Sequence, residues 1–582
     1  MRIFYLTVLL LVVPWAAISQ TWKQAYITDS MVISVKNVKS PHIGNKKNFY
    51  SQMPGFPVSV AGNPTFKNFQ GLAIEDIDND SISDIIFAAN SSIYAYSYTG
   101  LIWQQALIGT AIYPPSVSDI NHDGYPEIVQ VTGGSPSNGR VYVFDKDGSV
   151  LPGWPVNFSN HWIICSPVIS DIDHDSINEI IVCERMTPAG KVHILKLDGT
   201  EFSSNWPVTL DGTPAVTPSV ADVDNDGEKE IVAYSTKTRY IFELDGSPKT
   251  GFPNVTDPLQ QYSYQSPVIV DLDNNGQCEV VGSTHGDAPM FYVMNNDGSS
   301  FTGWPHNVPD NSWTFNTPSV VKIDGNWNIF MSRPIGSDPD DMLYGWDAGG
   351  NLLPGFPIVK SGGLEGFISV ADINNDNEFE LVFGSNMLDS TGCGFIYAYK
   401  TDGSGELPDF PVHPRGWSMM NGINIGDVNG DNMMDLVALT YTDSYDSIFP
   451  DRVFVNVYEL NVPYTPEKVL WGTYKGTNER TGFVGEMISN IPHNETISGK
   501  ITVSPNPVVD KLKISWNNSF TGKAVVKITD ITGRAIQSYE YANLPTGEST
   551  IEIDLSAMQA GCYFAILETG DKITRVGKII KR

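Results

Sequence analysis

Short apolar runs separated by polar, turn-forming clusters fill the chain from about residue 55 to residue 485. Pro115-Ser-Val-Ser118, Pro167-Val-Ile-Ser170, Pro218-Ser-Val-Ala221 and Pro267-Val-Ile-Val270 each lead into an acidic loop. Ile85-Ile-Phe87, Ile128-Val129 and Ile180-Ile-Val182 each follow one. Brief β-branched or alternating runs bounded by Asp, Asn and Gly predict strands, not helices. The acidic segment between two such runs is therefore the loop of a β-hairpin.

Seven of these loops share one pattern. The first carries Asp76, Asp78, Asp80 and Asp84, and the second Asp119, Asn121, Asp123 and Glu127. Asp171, Asp173, Asp175 and Glu179 form the third, and Asp222, Asp224, Asp226 and Glu230 the fourth. The fifth holds Asp271, Asp273, Asn275 and Glu279, and the sixth Asp372, Asn374, Asp376 and Glu380. Asp427, Asn429, Asp431 and Asp435 make the seventh. Each has Asp or Asn at positions 1, 3 and 5 and an acid at position 9. Hard oxygen ligands at alternate positions of a tight loop are what calcium requires, and a backbone carbonyl near position 7 adds to the shell. One such cluster is ordinary turn chemistry. Seven copies are not, because clustered carboxylates repel one another without a cation. Calcium at about seven sites is the expected cofactor. His122 and His174 stand at position 4, which points away from the ion, and read as surface residues.

Between the fifth and sixth loops, Pro318-Ser-Val-Val-Lys-Ile-Asp324 marks a further unit whose acids are missing. With Asp324 as its marker, the units start 43, 52, 51, 49, 53, 48 and 55 residues apart. That period suits one β-propeller blade per unit. Eight blades are expected, with seven as the alternative. Gly55-Phe-Pro57, ahead of the first loop, and Leu470-Trp-Gly-Thr-Tyr474 with Glu479-Arg-Thr-Gly482, after the last, are expected to complete one blade from the two ends.

Two further signals recur. Strands end in Asp-Gly at Gly148, Gly199, Gly246 and Gly403, a hairpin-turn signature with no metal role. An aromatic-Pro pair stands at Trp154-Pro155, Trp206-Pro207, Phe252-Pro253, Trp304-Pro305, Phe356-Pro357 and Phe410-Pro411. The aromatic is expected to pack between blades and the Pro to mark an outer or edge strand; a sugar-stacking stripe is the alternative.

Composition changes this picture in two ways. Lys and Arg total 36 against 66 Asp and Glu, a net charge of −30. That argues against nucleic acid and anionic membrane surfaces and favours cations. The ligand positions of the seven loops hold 24 of those acids, so seven calcium ions would offset about half of the net charge. The N-terminus reads as a secretory signal peptide over residues 1–19: Arg2, an apolar run from Ile3 to Ala17, and Ala17 and Ser19 flanking the cut. No other stretch is long and apolar enough to predict a transmembrane segment. Five cysteines without a CxxC pair argue against a disulfide framework or zinc, leaving at most one bridge, Cys165 to Cys183.

The repeats resemble FG-GAP/VCBS units, the calcium-loop propeller blades also found in integrin α-chains. The resemblance covers roughly residues 55–485 and implies calcium loops at one end of a disc. Ser81, Ser176, Asn377 and Asn432 depart from the loop glycine, and weaker calcium binding is expected in the sixth and seventh loops. The repeat then stops. Residues 486–500 read as a linker, and 501–582 as a small β-sandwich carrying ten basic and eight acidic residues. The series from Val503-Ser-Pro-Asn-Pro507 through Thr532-Gly-Arg534 to Gly561-Cys-Tyr563 resembles the C-terminal sorting domain of the type IX secretion system of Bacteroidetes. This implies export across the outer membrane through that machinery, to the cell surface or the medium.

The expected fold is thus all-β: a calcium-loop propeller over residues 20–485 and a C-terminal sandwich. The expected function is a secreted, cell-surface binding or adhesion module for an extracellular protein or glycan. The alternative is a polysaccharide lyase or hydrolase built on a calcium-rich propeller, with 335–346 and 440–452 as candidate site loops. No HExxH, GxSxG or GxxxxGK[ST] occurs, and no catalytic residue is assigned.

Overall fold

The structure is a computed structural model. It describes residues 21–27, 33–39 and 50–485, apart from 64–66, 134–137, 256–258, 263, 310–313, 315, 334–339, 361–365 and 443–450. Beyond these it describes 502–504, 508–518, 522–529, 535–544, 547–556, 558, 561–569 and 572–581. The signal peptide, the linker, the first part of the candidate site loop 335–346 and most of the loop 440–452 lie outside the described residues. The chain divides into two compact units, one ending at Val484 and the other starting at Gly485.

The first unit is built of successive antiparallel sheets, eight of them carrying the repeat units among the described residues. Their first strands are Ala73–Glu75, Ser116–Ser118, Val168–Ser170, Ser219–Ala221, Val268–Val270, Ser319–Ile323, Ser369–Ala371 and Ile423–Gly426. Each pairs with the strand that follows its loop, in one register. Glu75 faces Asp84, Ser118 faces Glu127, Ser170 faces Glu179 and Ala221 faces Glu230. Val270 faces Glu279, Ala371 faces Glu380 and Gly426 faces Asp435. The residue before the loop thus always meets position 9. In the unit without acids the loop shrinks to Asp324-Gly325 between the paired Ile323 and Asn326, with φ of 49° and 79°. Two successive left-handed residues make the tight turn that suits strand twist.

Neighbouring sheets are tied by side chains placed by the repeat. Serine hydroxyls of the first strands donate to the next sheet: Ser116 to the Pro167 carbonyl at 2.5 Å, Ser219 to Pro267 at 2.7 Å and Ser319 to Ile368 at 2.6 Å. Ser369 donates likewise to Ile423. The last sheet meets the first, where Asn424 Nδ2 donates to the Leu72 carbonyl at 3.0 Å. The aromatic-Pro pairs precede outer strands, all with cis X-Pro bonds, and their aromatics are buried against the next sheet. Strand interiors are apolar on both faces: Ile180, Ile181 and Val182 are all fully buried, as the short apolar runs require between packed sheets.

Two sequence expectations are corrected. Val58–Ala61 does pair with a C-terminal strand, but that strand is Arg452–Pro463. The stretch from Leu470 to Gly482 completes no blade with the N-terminal segment. It runs across the first strands of the other sheets, because those strands leave their inner edges open to it. Cys165 and Cys183 are buried free thiols, with the Cys183 N–H 3.5 Å from Cys165 Sγ. Burial pushes the Cys165 thiol up to about 12, so it packs as a small apolar group.

In the second unit, Thr502–Ser504, Lys511–Asn518 and Gly547–Asp554 form one sheet. Ala535–Leu544, Gly522–Thr529, Gly561–Thr569 and Lys572–Lys581 form another. Leu512, Ile514 and Ile553 of the first share one core with Val526, Ile528 and Ala565 of the second.

Candidate metal centres

All seven acidic loops fold alike. The backbone N–H of position 2 donates to the position 9 carboxylate: Ile77 to Asp84 at 3.3 Å, Ile120 to Glu127 at 2.8 Å and Ile172 to Glu179 at 3.2 Å. Val223 to Glu230, Leu272 to Glu279, Ile373 to Glu380 and Val428 to Asp435 repeat it at 2.7, 2.8, 3.2 and 3.0 Å. The N–H of position 6 donates to the position 1 carboxylate, as in Ser81 to Asp76 at 2.8 Å and Gly227 to Asp222 at 2.9 Å. Position 6 is left-handed in every loop: φ is 94° at Gly124 but also 72° at Ser81, 67° at Asn377 and 62° at Asn432. The missing glycines therefore change strain, not geometry. Position 4 is left-handed as well, at Asn79, His122, His174, Asn225, Asn274, Asn375 and Gly430. This explains its Asn, His and Gly, a signal present in the sequence that the ligand pattern masked. His174 Nε2 reaches the Gly227 carbonyl of the next loop at 3.0 Å.

The carboxylates at positions 1, 3 and 9 converge. Asp76, Asp78 and Asp84 bring ligand oxygens within 4.8 Å of one another, as do Asp171, Asp173 and Glu179, Asp222, Asp224 and Glu230, and Asp271, Asp273 and Glu279. Position 5 is not in these clusters. Asp80 and Asp175 instead accept the position 7 N–H at 2.8 and 2.7 Å. In the second, sixth and seventh loops Asn121, Asn374 and Asn429 stand at position 3, and no comparable carboxylate triad forms there among the described residues. Asn121 Nδ2 donates to Glu127 at 2.5 Å and Asn374 Nδ2 to Glu380 at 3.0 Å.

Burial strains the position 9 acids. It pushes Asp84, Glu127, Glu179, Glu279 and Asp435 up to about 7, and Glu230 and Glu380 up to about 8, with loop carboxylates adding to the rise. Buried carboxylate oxygens are also left without partners: Asp171 Oδ1, Asp224 Oδ1, Glu230 Oε1 and Asp435 Oδ1. Orphaned, desolvated, converging oxygens fit a hard divalent cation, which would satisfy them and hold the acids ionised. Two lysines were not legible in the pattern. Lys249 Nζ bonds Asp224 in the fourth loop, and Lys468 Nζ lies 3.3 Å from Asp372 Oδ2 in the sixth.

A second titratable cluster lies on the third sheet. Glu184 bonds His161 Nδ1 and lies 3.1 Å from His193 Nε2, while His193 Nδ1 meets Glu201 at 2.6 Å.

Residues 119–182 match the family model of the FG-GAP-like repeat, and residues 502–582 match that of the secretion system C-terminal sorting domain. The chain thus carries an FG-GAP-like repeat and a type IX sorting domain. Proteins with this tail are exported to the cell surface or the extracellular space, and so is this one. No helix among the described residues is long and apolar enough to cross a membrane. No curated protein matches the chain in sequence. Among solved structures it is similar to the V. cholerae biofilm matrix protein Bap1, at 14% identity over 78% of this chain and 94% of that one, with a TM-score of 0.44. The BP39L lectin from Burkholderia pseudomallei matches at 10% identity over 60% and 99%, with a TM-score of 0.39. A protein of unknown function from Bacteroides caccae matches at 12% over 46% and 92%, with a TM-score of 0.27.

Proposed function

We propose that residues 20–485 are an eight-bladed calcium-loop β-propeller, joined by a linker over 486–500 to a sandwich-fold sorting domain at 501–582. The propeller acts as an exported binding or adhesion module for an extracellular protein or glycan. The repeated position 1, 3 and 9 convergence, with buried oxygens lacking partners, carries the calcium reading. Ser–carbonyl links between sheets and the Asn424–Leu72 bond support a closed ring. In this reading calcium is structural. It neutralises carboxylates that burial has stripped of water, and so fixes the loops as a rigid surface on which a partner is recognised. The ligands at each site are the residues at positions 1, 3, 5 and 9, position 5 turning in when the ion binds.

The test is direct. The purified exported chain is incubated in millimolar calcium with arrays of extracellular proteins and of plant and algal polysaccharides. Calcium-dependent retention on one class, with no new reducing ends or unsaturated products, supports the binding module. Reproducible turnover of a polysaccharide overturns it in favour of a lyase or hydrolase.

A further inference from the structure

Residues 466–484 follow the last propeller strand and precede the linker, yet the large and charged side chains at their centre are buried. Tyr474, Lys475 and Arg480 are fully buried, and Trp471 nearly so. A segment added after the last blade has no need of such burial unless the sheets converge on it.

The hydrogen bonds show that they do. The Ile425 N–H donates to the Gly472 carbonyl at 3.0 Å, Val117 to Asn478 at 3.1 Å and Ile169 to Glu479 at 2.9 Å. Val220 donates to Thr481 at 3.0 Å and Ile269 to Gly482 at 2.8 Å. Val370 is paired with Trp471, and Asn478 Nδ2 donates to the Ile74 carbonyl at 2.7 Å. These partners belong to the first strands of seven different sheets. The eighth is reached by packing, since Trp471 and Tyr474 share a core with Val320 and Val321.

The two cations fasten the segment at its centre. Lys475 Nζ donates to Ser219 Oγ at 2.6 Å and to the Pro218 and Thr217 carbonyls. Arg480 Nη2 donates to the Leu72 carbonyl at 3.0 Å and to Pro115 at 3.3 Å, and Nη1 to Tyr474 within the segment at 2.8 Å. Tyr474 Oη lies 2.6 Å from Ser266 Oγ and 3.1 Å from Thr217 Oγ1. Buried cations bonded to carbonyls and hydroxyls, with all three Lys475 contacts and both Arg480 Nη2 contacts on other sheets, are specific fasteners, because a loose fit would leave a desolvated charge without partners. Gly482 fits the same fastening: a Cβ there would come within 2.3 Å of Lys475 Cε.

We infer that the inner edges of the sheets form a peptide-binding site whose ligand is the chain's own residues 466–484, a strap seated by Lys475, Asn478 and Arg480. This goes beyond the calcium-dependent binding reading and does not depend on it. The strap occupies the space where the first strands meet, so external partners are met on outer loops and not at that centre. It also makes the body's integrity rest on the stretch immediately before the linker to the sorting domain.

The test uses the full chain. Hydrogen exchange should find the Val117, Ile169, Val220, Ile269 and Ile425 amides strongly protected, and Lys475→Met or Arg480→Met should speed their exchange at least tenfold. Exchange unchanged in both variants overturns the inference. If a variant fails to fold, a protease site inserted between the exposed Thr465 and Pro466 of the otherwise native chain decides. After cutting, the fragment from Pro466 onward should stay bound to the body through gel filtration. Its release from a body that stays folded overturns the inference.

Discussion

The indole Nε1 of Trp154 donates to the backbone carbonyl of Leu197 at 2.8 Å, so the outer strand of one sheet is pinned to the Asp-Gly turn of the next. Trp206 to Leu244 and Trp304 to Ala348 repeat the bond at 2.9 and 3.0 Å, and Trp103 to Lys146 makes it at 2.7 Å without a following Pro. Gly153, at the same junction, leaves room for the turn, since a Cβ would come within 2.4 Å of the Asp198 carbonyl oxygen. Trp154→Phe keeps the packing, as Phe252, Phe356 and Phe410 do elsewhere, and loses one hydrogen bond. Equilibrium unfolding should show a loss of about 1 kcal/mol. Trp154→Ala should lose about 3–5 kcal/mol through the cavity it leaves.

Calcium removal should destabilise the first unit as a whole. Extracellular sites bind at roughly 10⁻⁴–10⁻³ M, so about 1 mM calcium contributes roughly 1.4 kcal/mol per site at a Kd near 0.1 mM. Seven independent sites reach about 10 kcal/mol, comparable with the stability of a domain. EDTA should therefore lower the melting temperature steeply, and an unchanged melting curve would exclude structural calcium.

Site by site, metal content separates the loops from plain turns. Asp224→Ala or Glu230→Gln should remove one ion from the stoichiometry measured by elemental analysis after equilibrium dialysis. Asp147→Ala should remove none, because that carboxylate caps an exposed turn, accepting the Ser149 N–H at 2.8 Å. The sixth loop should be among the weakest, with Asn377 at position 6 and Lys468 against Asp372.

Loop strain should tune affinity. Gly124 has φ of 94° with nothing within 4 Å of an added Cβ, so Gly124→Ala adds backbone strain alone. The expected loss is about 1–2 kcal/mol, read as a weaker second site in a terbium titration. Ser81→Gly should shift the first site the opposite way.

The His–Glu chain should give a pH window. Burial alone would raise Glu184, but the hydrogen bonds and charges of His193 and His161 hold it below the usual 4.5. Burial alone would lower His193, but Glu184 and Glu201 raise it above 6.5. The Glu184 contribution is present above pH 4.5 and is lost as pH falls through its lowered folded value. The His193 contribution is full below pH 6.5 and is lost as pH rises through its raised folded value. The stability difference between the native chain and His193→Gln, at fixed calcium, should therefore be greatest between about pH 4.5 and 6.5 and shrink on both sides. A difference independent of pH would show that the network carries no ionic stabilisation.

The sequence by itself determined everything that is local. Asp76, Asp78 and Asp84 lie within nine residues, and the hairpin carrying them closes on itself, so spacing alone shows which carboxylates meet. The alternation of short apolar runs gives the strands for the same reason, and the sorting tail is legible as an ordered series of short motifs. What the tertiary structure decided is long-range. Position 5 faces the position 7 N–H and not the triad, because backbone hydrogen bonding within the loop sets its rotamer. Val58–Ala61 selects Arg452–Pro463 as its partner, and no residue near either strand records that choice. Nothing in the local sequence sets Lys475 and Arg480 apart from other cations. They become buried fasteners only because first strands hundreds of residues apart in sequence converge on one segment, and such convergence depends on the packing of whole sheets, which no local pattern encodes.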